Sequence, residues 1–208
     1  MANTEEQKWL VKKDAQRVMA RAVEELLEAE RRPMARNCSA RNAAAIQIGL
    51  LSGLRVTEMC SLTWGDIWER RSPPQLSVRR GKRGKSRDVF IPERLIEFLA
   101  RYKRWCAAAH LPTGPDDPIL HSWRSPSKPM TRRAVELSIE RVGEAAGLNQ
   151  QLTPHHLRHT YASHLWVSSK RDFELVKRQL GHDMASTTMI YIGTLKAAIA
   201  ASLRGIYT

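Results

Sequence analysis

Histidines and arginines recur along this chain in an order that suits phosphate chemistry. The segment TPHHLRH places His155 in the first turn of a predicted helix and Arg158 one turn later, on the same face. Because a helix N-terminus presents unpaired N–H groups and a positive dipole end, an imidazole and a guanidinium added there predict an anion site. A metal site is the rival interpretation, since His155 and His159 are four residues apart. The glutamate of H-E-x-x-H is absent, however, and Arg158 would repel a cation.

Three further segments carry candidate groups. Arg55, in GLRVTE, follows a predicted helix, and two arginines can hold the two non-bridging oxygens of one phosphodiester. Lys82 lies in the glycine-punctuated segment GKRGK and could supply a cationic proton donor. Leu-Gly-His at 180–182 is followed nine residues after the histidine by Tyr191. Taken alone, a tyrosine in such an apolar stretch is more typical of a core than of a nucleophile.

The charge of the chain predicts its partner. The 208 residues include 34 Lys and Arg against 21 Asp and Glu, a formal net charge of +13, and phosphates are the natural counterions. Between residues 70 and 87 no acidic residue occurs, although protein surfaces normally mix the two signs. The basic residues of this block are Arg70, Arg71, Arg79, Arg80, Lys82, Arg83, Lys85 and Arg87. We therefore expect nucleic acid as the partner, the alternative being a protein that is merely basic.

Other classes of protein are excluded by composition. No apolar run approaches the length needed to span a bilayer, and the N-terminus has no apolar signal core, so no membrane partner is expected. Three widely spaced cysteines, Cys38, Cys60 and Cys106, fit neither a disulfide scaffold nor a cysteine zinc module. We expect a cytoplasmic protein, associated with the nucleoid when it is bound to DNA.

The periodicity of apolar residues predicts a mainly α fold with one small antiparallel β-sheet, an α+β class. A β-hairpin with a basic tip is predicted from LSVRR and DVFIP, on either side of the GKRGK turn. Ser39, Thr131 and Thr153 are predicted N-caps, and Gly147 and Gly181 are predicted helix ends. Helices are predicted over 14–30, 39–53, 56–62, 93–109, 131–147, from 153, over 172–180 and over 187–204.

Read together, these residues resemble the tyrosine recombinase (phage integrase) family. The order is Arg55, a lysine in a β-turn, His-x-x-Arg, Leu-Gly-His and then Tyr191. The segments GLRVTEMCSLTWGDI, TPHHLRHTYASHL and LGHDMASTTMIY are each similar to conserved boxes of that family, and the likeness runs from about residue 40 to 195. It implies a catalytic domain over 41–195, an N-terminal helical lead-in over 1–40 and a C-terminal tail helix over 196–208.

The resemblance also implies an activity, site-specific recombination by a DNA strand transferase that needs neither a metal nor another cofactor. Tyr191 would attack a DNA phosphate, form a 3′-phosphotyrosyl link and release a 5′-hydroxyl. Arg55 and Arg158 would stabilise the charge on the phosphate, with His182 hydrogen-bonded to it. Lys82 would donate a proton to the leaving 5′-oxygen, and His155 would handle the proton of the tyrosine. Glu58 would orient the site. The implied DNA contacts are Arg79, Arg80, Arg83, Lys85 and Arg87.

Two departures from the family pattern leave alternatives open. Only about 40 residues precede the catalytic segment, which fits either a short single-domain recombinase or a catalytic fragment of a longer integrase. GKRGKSR matches the usual lysine turn imperfectly, so Lys85 is an alternative to Lys82 as the general acid.

Other functions and assemblies also stay open. Two functions compete with recombination. One is a DNA-binding regulator with this fold but no strand exchange, and the other is a topoisomerase that relaxes DNA by the same chemistry. The expected partner is double-stranded DNA, bound by a tetramer of chains that are monomers alone, with accessory DNA-bending proteins possible. The apolar stripe of the tail would pack on its own domain or on a neighbouring protomer.

Overall fold

The computed structural model describes residue 10 and residues 12–31, 38–79 and 86–181. Among these residues the fold is mainly helical with one three-stranded antiparallel sheet, which confirms the predicted fold class. The helices are α1 (Lys12–Arg31), α2 (Ser39–Ser52), α3 (Val56–Ser61), α4 (Glu93–Ala108), α5 (Arg132–Ala145), α6 (Pro154–Ser168) and α7 (Phe173–Leu180). The strands are β1 (Ile67–Trp68), β2 (Gln75–Val78) and β3 (Arg87–Phe90), and a short 3₁₀ turn, Trp64–Asp66, precedes β1.

Helix α2 is the centre of the core. Its sequence is apolar nearly all round, and every residue from Ala40 to Ser52 is buried, as expected of a helix with neighbours on all sides. Helices α1, α4, α5 and α6 all pack against it. The α1 face that meets the core carries Val18, Ala22 and Leu26 at the predicted helical spacing, all buried. The last turn of α2 is therefore firmly held, and so is the start of the segment that follows it.

The sheet contains the predicted hairpin and one strand that was not predicted. Strands β2 and β3 pair antiparallel, with Leu76 opposite Val89. Both of these side chains are buried in the core. Strand β1 pairs with the other edge of β2, Ile67 opposite Leu76. Two residues are too few to show a period-two pattern, which is why the sequence did not indicate β1.

The helix ends follow their capping signals with one exception. The Thr131 side chain accepts a hydrogen bond from the N–H of Ala134 at 3.2 Å, and Thr153 caps α6 in the same way. Ser39 was predicted to cap α2, but the N-cap is Cys38 and Ser39 is the first helical residue.

The predicted hairpin tip and the predicted helix over 187–204 lie outside the described residues. Within the described part of the chain, no helix has the length and apolar character to cross a membrane.

Candidate active site

The candidate site begins at the turn that ends α2. Gly53 has a φ of 63°, in the left-handed region that favours glycine. A Cβ atom at this position would lie 2.3 Å from the ring of Tyr161, so the close packing also requires glycine. The carbonyl of Gly53 accepts a hydrogen bond from Nη1 of Arg158 at 2.5 Å. This turn places Arg55 at the N-cap of α3, two residues after the carbonyl that Arg158 binds.

Arg55 is oriented from two directions. Its Nη1 donates to Oε1 of Glu58 at 2.9 Å, and its backbone N–H donates to Oε2 of the same carboxylate at 2.8 Å. Its Nη2 donates to the carbonyl of Gly181 at 3.2 Å. The side chain keeps 27% of its surface exposed. Arg55 is thus a fixed guanidinium that a ligand can still reach.

Arg158 meets the same end of α7. It is buried, with 7% of its surface exposed, and its Nη2 donates to the carbonyl of Leu180 at 2.9 Å. Because Arg55 bonds the next carbonyl, the two arginines hold consecutive carbonyls at the negative end of the α7 dipole. Gly181 makes this possible by ending α7 in the left-handed conformation, with a φ of 64°. The two arginines that the sequence singled out are therefore brought together.

Glu58 is the buried carboxylate of this cluster, 2% exposed. Both terminal nitrogens of Arg87 donate to it, Nη1 to Oε1 at 2.8 Å and Nη2 to Oε2 at 3.0 Å. Burial alone would raise the pKa of Glu58, but the hydrogen bonds and charges of Arg87 and Arg55 outweigh it and lower the pKa to about 2. Glu58 is therefore ionised at neutral pH, and the guanidinium groups around it leave the cluster positively charged.

Helix α7 is also fastened to the sheet. The side-chain amide of Gln179 accepts from the N–H of Phe90 at 3.3 Å and donates to the carbonyl of the same residue. Its nitrogen also donates to the hydroxyl of Tyr161 at 2.9 Å. Gln179 and Tyr161 were not among the predicted site residues. The only signal available was their closeness in sequence to Leu180 and Arg158.

His155 and Arg158 differ in exposure although only one turn of α6 separates them. It is exposed on the first turn of α6, whereas Arg158 is buried against α2 and α7. His155 lines a cavity of about 250 Å³ together with Val56, the residue after Arg55. Its ring centre is 6.3 Å from that of His159. No group of three or more His, Cys, Asp or Glu side chains that could hold a metal ion occurs among the described residues.

Three of the four described arginines of the basic block, Arg71, Arg79 and Arg87, are paired with carboxylates from outside it. Nε of Arg79 lies 2.5 Å from Asp66, although the arginine side chain is 59% exposed. Arg71 lies 3.0 Å from Asp88, and Arg87 is engaged by Glu58. Part of the positive charge that the sequence assigns to this block is therefore neutralised by nearby carboxylates. Arg87, with 15% of its side chain exposed, has different surroundings from those expected of a DNA contact.

Several predicted site residues lie outside the described part of the chain. They are Arg80, Lys82, Arg83, Lys85, His182 and Tyr191. Their roles stay predictions. Three of them adjoin described positions in the sequence, since Arg80 follows Arg79, Lys85 precedes Ser86 and His182 follows Gly181.

The chain is similar in sequence to known proteins. The phage integrase family matches residues 16–197. The chain is 35% identical over 159 residues to the tyrosine recombinase XerD of Pseudomonas putida, covering 76% of this chain and 51% of the relative. It is 33% identical over 159 residues to the tyrosine recombinase XerC of Bradyrhizobium diazoefficiens, covering 74% and 46%. The chain thus spans about half the length of the curated relatives it matches.

Solved structures give the same fold. The crystal structure of XerH site-specific recombinase bound to palindromic difH substrate, a post-cleavage complex, superposes with a TM-score of 0.73 and 24% sequence identity. The superposition covers 95% of this chain and 53% of that one.

Proposed function

The chain belongs to the phage integrase family of tyrosine recombinases, and from this we propose that it is a site-specific DNA recombinase. It would cut and rejoin double-stranded DNA through a 3′-phosphotyrosyl intermediate, with no metal or other cofactor. The observation that carries the proposal is the meeting of Arg55 and Arg158 at the carbonyls of Gly181 and Leu180. Two fixed guanidinium groups in one place are suited to a phosphodiester with two non-bridging oxygens.

The phosphate binds where positive charge is already assembled. Arg55 and Arg87 pair with the carboxylate of Glu58, and Arg158 meets the same end of α7 as Arg55, so an anion enters a field that favours it. In the pentacoordinate transition state the phosphoryl oxygens gain charge, and prearranged donors stabilise that charge without further reorganisation. His182, which follows Gly181 in the chain, adds a further hydrogen bond to the same phosphate.

The covalent step is a transesterification that conserves the number of phosphoester bonds. The hydroxyl oxygen of Tyr191 bonds to phosphorus, and the bond from phosphorus to the 5′-oxygen breaks. His155 accepts the tyrosine proton, and Lys82 gives a proton to the leaving 5′-oxygen. A 5′-hydroxyl of another strand then attacks the phosphotyrosine, which rejoins the DNA and restores Tyr191. No external energy source is required.

The domain limits and the assembly belong to the same proposal. Residues 41–195 form the catalytic domain, 1–40 lead into it, and 196–208 form a tail helix. Arg79, Arg80, Arg83 and Lys85 contact the DNA backbone, as their charge favours. The chain works in the cytoplasm on nucleoid DNA, as a monomer when free and as a tetramer on DNA, and needs accessory DNA-bending proteins only where the site demands them.

A covalent adduct is the decisive observation. The protein is mixed with a pool of short, nicked duplexes of randomised sequence, whose cleavage releases a small fragment and traps the intermediate. We expect a protein–DNA adduct that survives denaturant, and sequencing of the trapped DNA then identifies the target site. Tyr191→Phe removes only the nucleophilic oxygen, so it abolishes the adduct while DNA binding remains.

Each other result points to a different function. DNA binding without an adduct identifies the regulator with no strand exchange. Adducts on all sequences, together with relaxation of supercoiled plasmid, identify a topoisomerase instead of a site-specific recombinase. Adducts that persist in Tyr191→Phe assign the nucleophile to another tyrosine, with Tyr207 as the first candidate.

A further inference from the structure

Arg87 makes a two-point ion pair at the centre of the candidate site. It is the first residue of β3, and both of its terminal nitrogens donate to Glu58, one to each carboxylate oxygen, at 2.8 and 3.0 Å. This fork arrangement fixes the plane of the carboxylate as well as its distance. The Glu58 side chain is 2% exposed and that of Arg87 is 15% exposed, so little solvent screens the pair.

The carboxylate held by Arg87 is the one that orients Arg55. Oε1 of Glu58 also accepts from Nη1 of Arg55, and Oε2 also accepts from the Arg55 backbone N–H. Each oxygen is thus shared between the two arginines. We propose that Arg87 is a positioning residue for DNA cleavage: it fixes Glu58, and Glu58 fixes the guanidinium of Arg55 where the scissile phosphate binds.

The surroundings of Arg87 favour this role over a direct contact with DNA. Its terminal nitrogens are engaged by Glu58, and its Nε lies against Gly181, where an added Cβ would be 2.6 Å away. A residue that binds the DNA backbone from a hairpin needs an exposed cationic head, as Arg79 has. Arg87 instead links three parts of the site, namely the hairpin, the start of α3 and the end of α7.

Loss of Arg87 changes the balance of charge around Glu58. Among the described residues, the buried carboxylate that loses its two-point partner keeps one cationic partner, Arg55. Arg55 is then drawn toward the carboxylate, or the carboxylate takes up a proton and releases Arg55. Either change moves the guanidinium from its catalytic position. A displacement of about 1 Å in a catalytic group reduces a rate by about 10²-fold.

This inference rests on the proposed function, and its first test is kinetic. The variants are Arg87→Gln, Arg87→Lys, Glu58→Gln and the double variant Arg87→Gln/Glu58→Gln, with single-turnover adduct formation measured at saturating nicked duplex. We expect Arg87→Gln to slow adduct formation by about 10²-fold, with unchanged DNA affinity and salt dependence. The double variant is expected to be no slower than the slower single variant, because both substitutions break one chain of contacts.

The matched control is Arg101→Gln. Arg101 also makes a two-point pair with a glutamate, donating to Glu30 at 3.2 and 2.6 Å, but this pair joins α4 to α1. We expect adduct formation by Arg101→Gln at the parental rate. Arg87→Lys keeps the charge without the fork, and we expect it to recover only part of the lost rate.

Three results would overturn the proposal. One is a drop in DNA affinity with a salt slope smaller by about one, the signature of a lost phosphate contact. Another is a double variant whose fold-reduction in the rate of adduct formation equals the product of the two single reductions. The third is full recovery by Arg87→Lys, which would show that charge alone is needed.

A second measurement is independent of activity. The carboxyl of Glu58 is titrated by ¹³C NMR in the free protein, and its pKa, about 2 with both arginines present, is expected to rise in Arg87→Gln but not in Arg101→Gln. An unchanged pKa would overturn the link between Arg87 and Glu58. If the parental protein forms no adduct with any duplex, the proposed function fails, while this titration still decides whether the link exists.

Discussion

Nη1 of Arg158 donates to the carbonyl of Gly53 at 2.5 Å, across 105 positions of sequence. The contact ties α6 to the end of α2, the most deeply buried of the described helices. Because Arg55 follows Gly53 by two residues, one turn of chain fixes the relative positions of both arginines. The pair of arginines proposed to bind phosphate is therefore built from the centre of the fold, and donors held in this way need no reorganisation when charge develops.

Gly53→Ala is expected to damage both stability and cleavage. A non-glycine residue at a φ of 63° costs about 1–2 kcal/mol, and a Cβ 2.3 Å from the Tyr161 ring adds an overpacking cost of about 1–3 kcal/mol. Urea unfolding measures the loss of stability, and single-turnover adduct formation measures the loss of cleavage.

Gly147→Ala is the matched control for that variant. Gly147 also has a positive φ, 69°, but it ends α5 and its added Cβ would meet only the tip of the Arg17 side chain. We expect a loss of about 1–2 kcal/mol with no change in the cleavage rate. Equal rates in the two variants would show that the Gly53 turn does not position the arginines.

Glu58 gives the folded protein an acid-dependent stability. Its pKa is lowered from 4.5 to about 2 in the folded state, so its contribution is complete above about pH 4.5 and is lost as the pH falls toward 2. That difference corresponds to about 3 kcal/mol of unfolding free energy. We expect the stability gap between the parental protein and Glu58→Gln, measured by urea unfolding, to be widest near neutrality and to shrink below pH 4.5.

Glu30→Gln serves as the control in this titration. Glu30 belongs to a partly exposed ion pair with Arg101, and such pairs contribute at most about 1 kcal/mol. A gap of the same small size for both variants, or one that widens on acidification, would contradict the role given to Glu58.

The sequence predicted the parts of the site that have local signals. Thr153 followed by Pro154 marks the start of α6, and from that start the position of Arg158 follows by counting. Gly181 marks the end of α7 in the same way. The alternation around Leu76 and Val89 predicted the hairpin. Each of these signals depends on residues close together in the chain.

The remaining parts depend on contacts between distant segments. Arg87 and Glu58 are 29 positions apart, and nothing in a run of basic residues indicates which of them turns inward to a carboxylate. The closeness of the Tyr161 ring to Gly53 likewise follows from how α6 packs on α2. Such pairings require the tertiary fold, because periodicity reports the face of an element and not its partner.

A chemical rescue experiment distinguishes the roles of Lys82 and Lys85, the two lysines of the predicted hairpin tip. Lys82→Ala is expected to slow cleavage by about 10²–10⁴-fold, the range for loss of a general acid. A duplex with a 5′-phosphorothiolate at the scissile position has a leaving group that hardly needs a proton, so it should restore the rate of this variant.

Lys85→Ala is the paired comparison, since the two lysines are three positions apart in the same predicted turn. As a phosphate contact, Lys85 should affect mainly DNA affinity and lower the salt slope by about one. Rescue by the phosphorothiolate in Lys85→Ala, and not in Lys82→Ala, would exchange the two roles.

The tail after Tyr191 is expected to link protomers. Leu195, Ile199 and Leu203 recur every four residues, a stripe that must be buried against something. The described members of the main core lie between Leu10 and Leu157, so deletion of residues 195–208 removes none of these side chains. We expect the truncated chain to keep its cooperative unfolding transition.

Recombination, in contrast, should be lost in the truncated chain, because a head-to-tail contact that closes a ring on DNA needs the donated segment. Sedimentation analysis is the direct measurement. The parental chain, with a net charge of +13, should be a monomer alone because like charges repel, and should assemble into tetramers on duplexes that carry its site. The truncated chain should bind the same duplexes without forming tetramers. Unfolding of the truncated monomer would instead place the stripe in its own core, and tetramers formed without the tail would exclude it as the link.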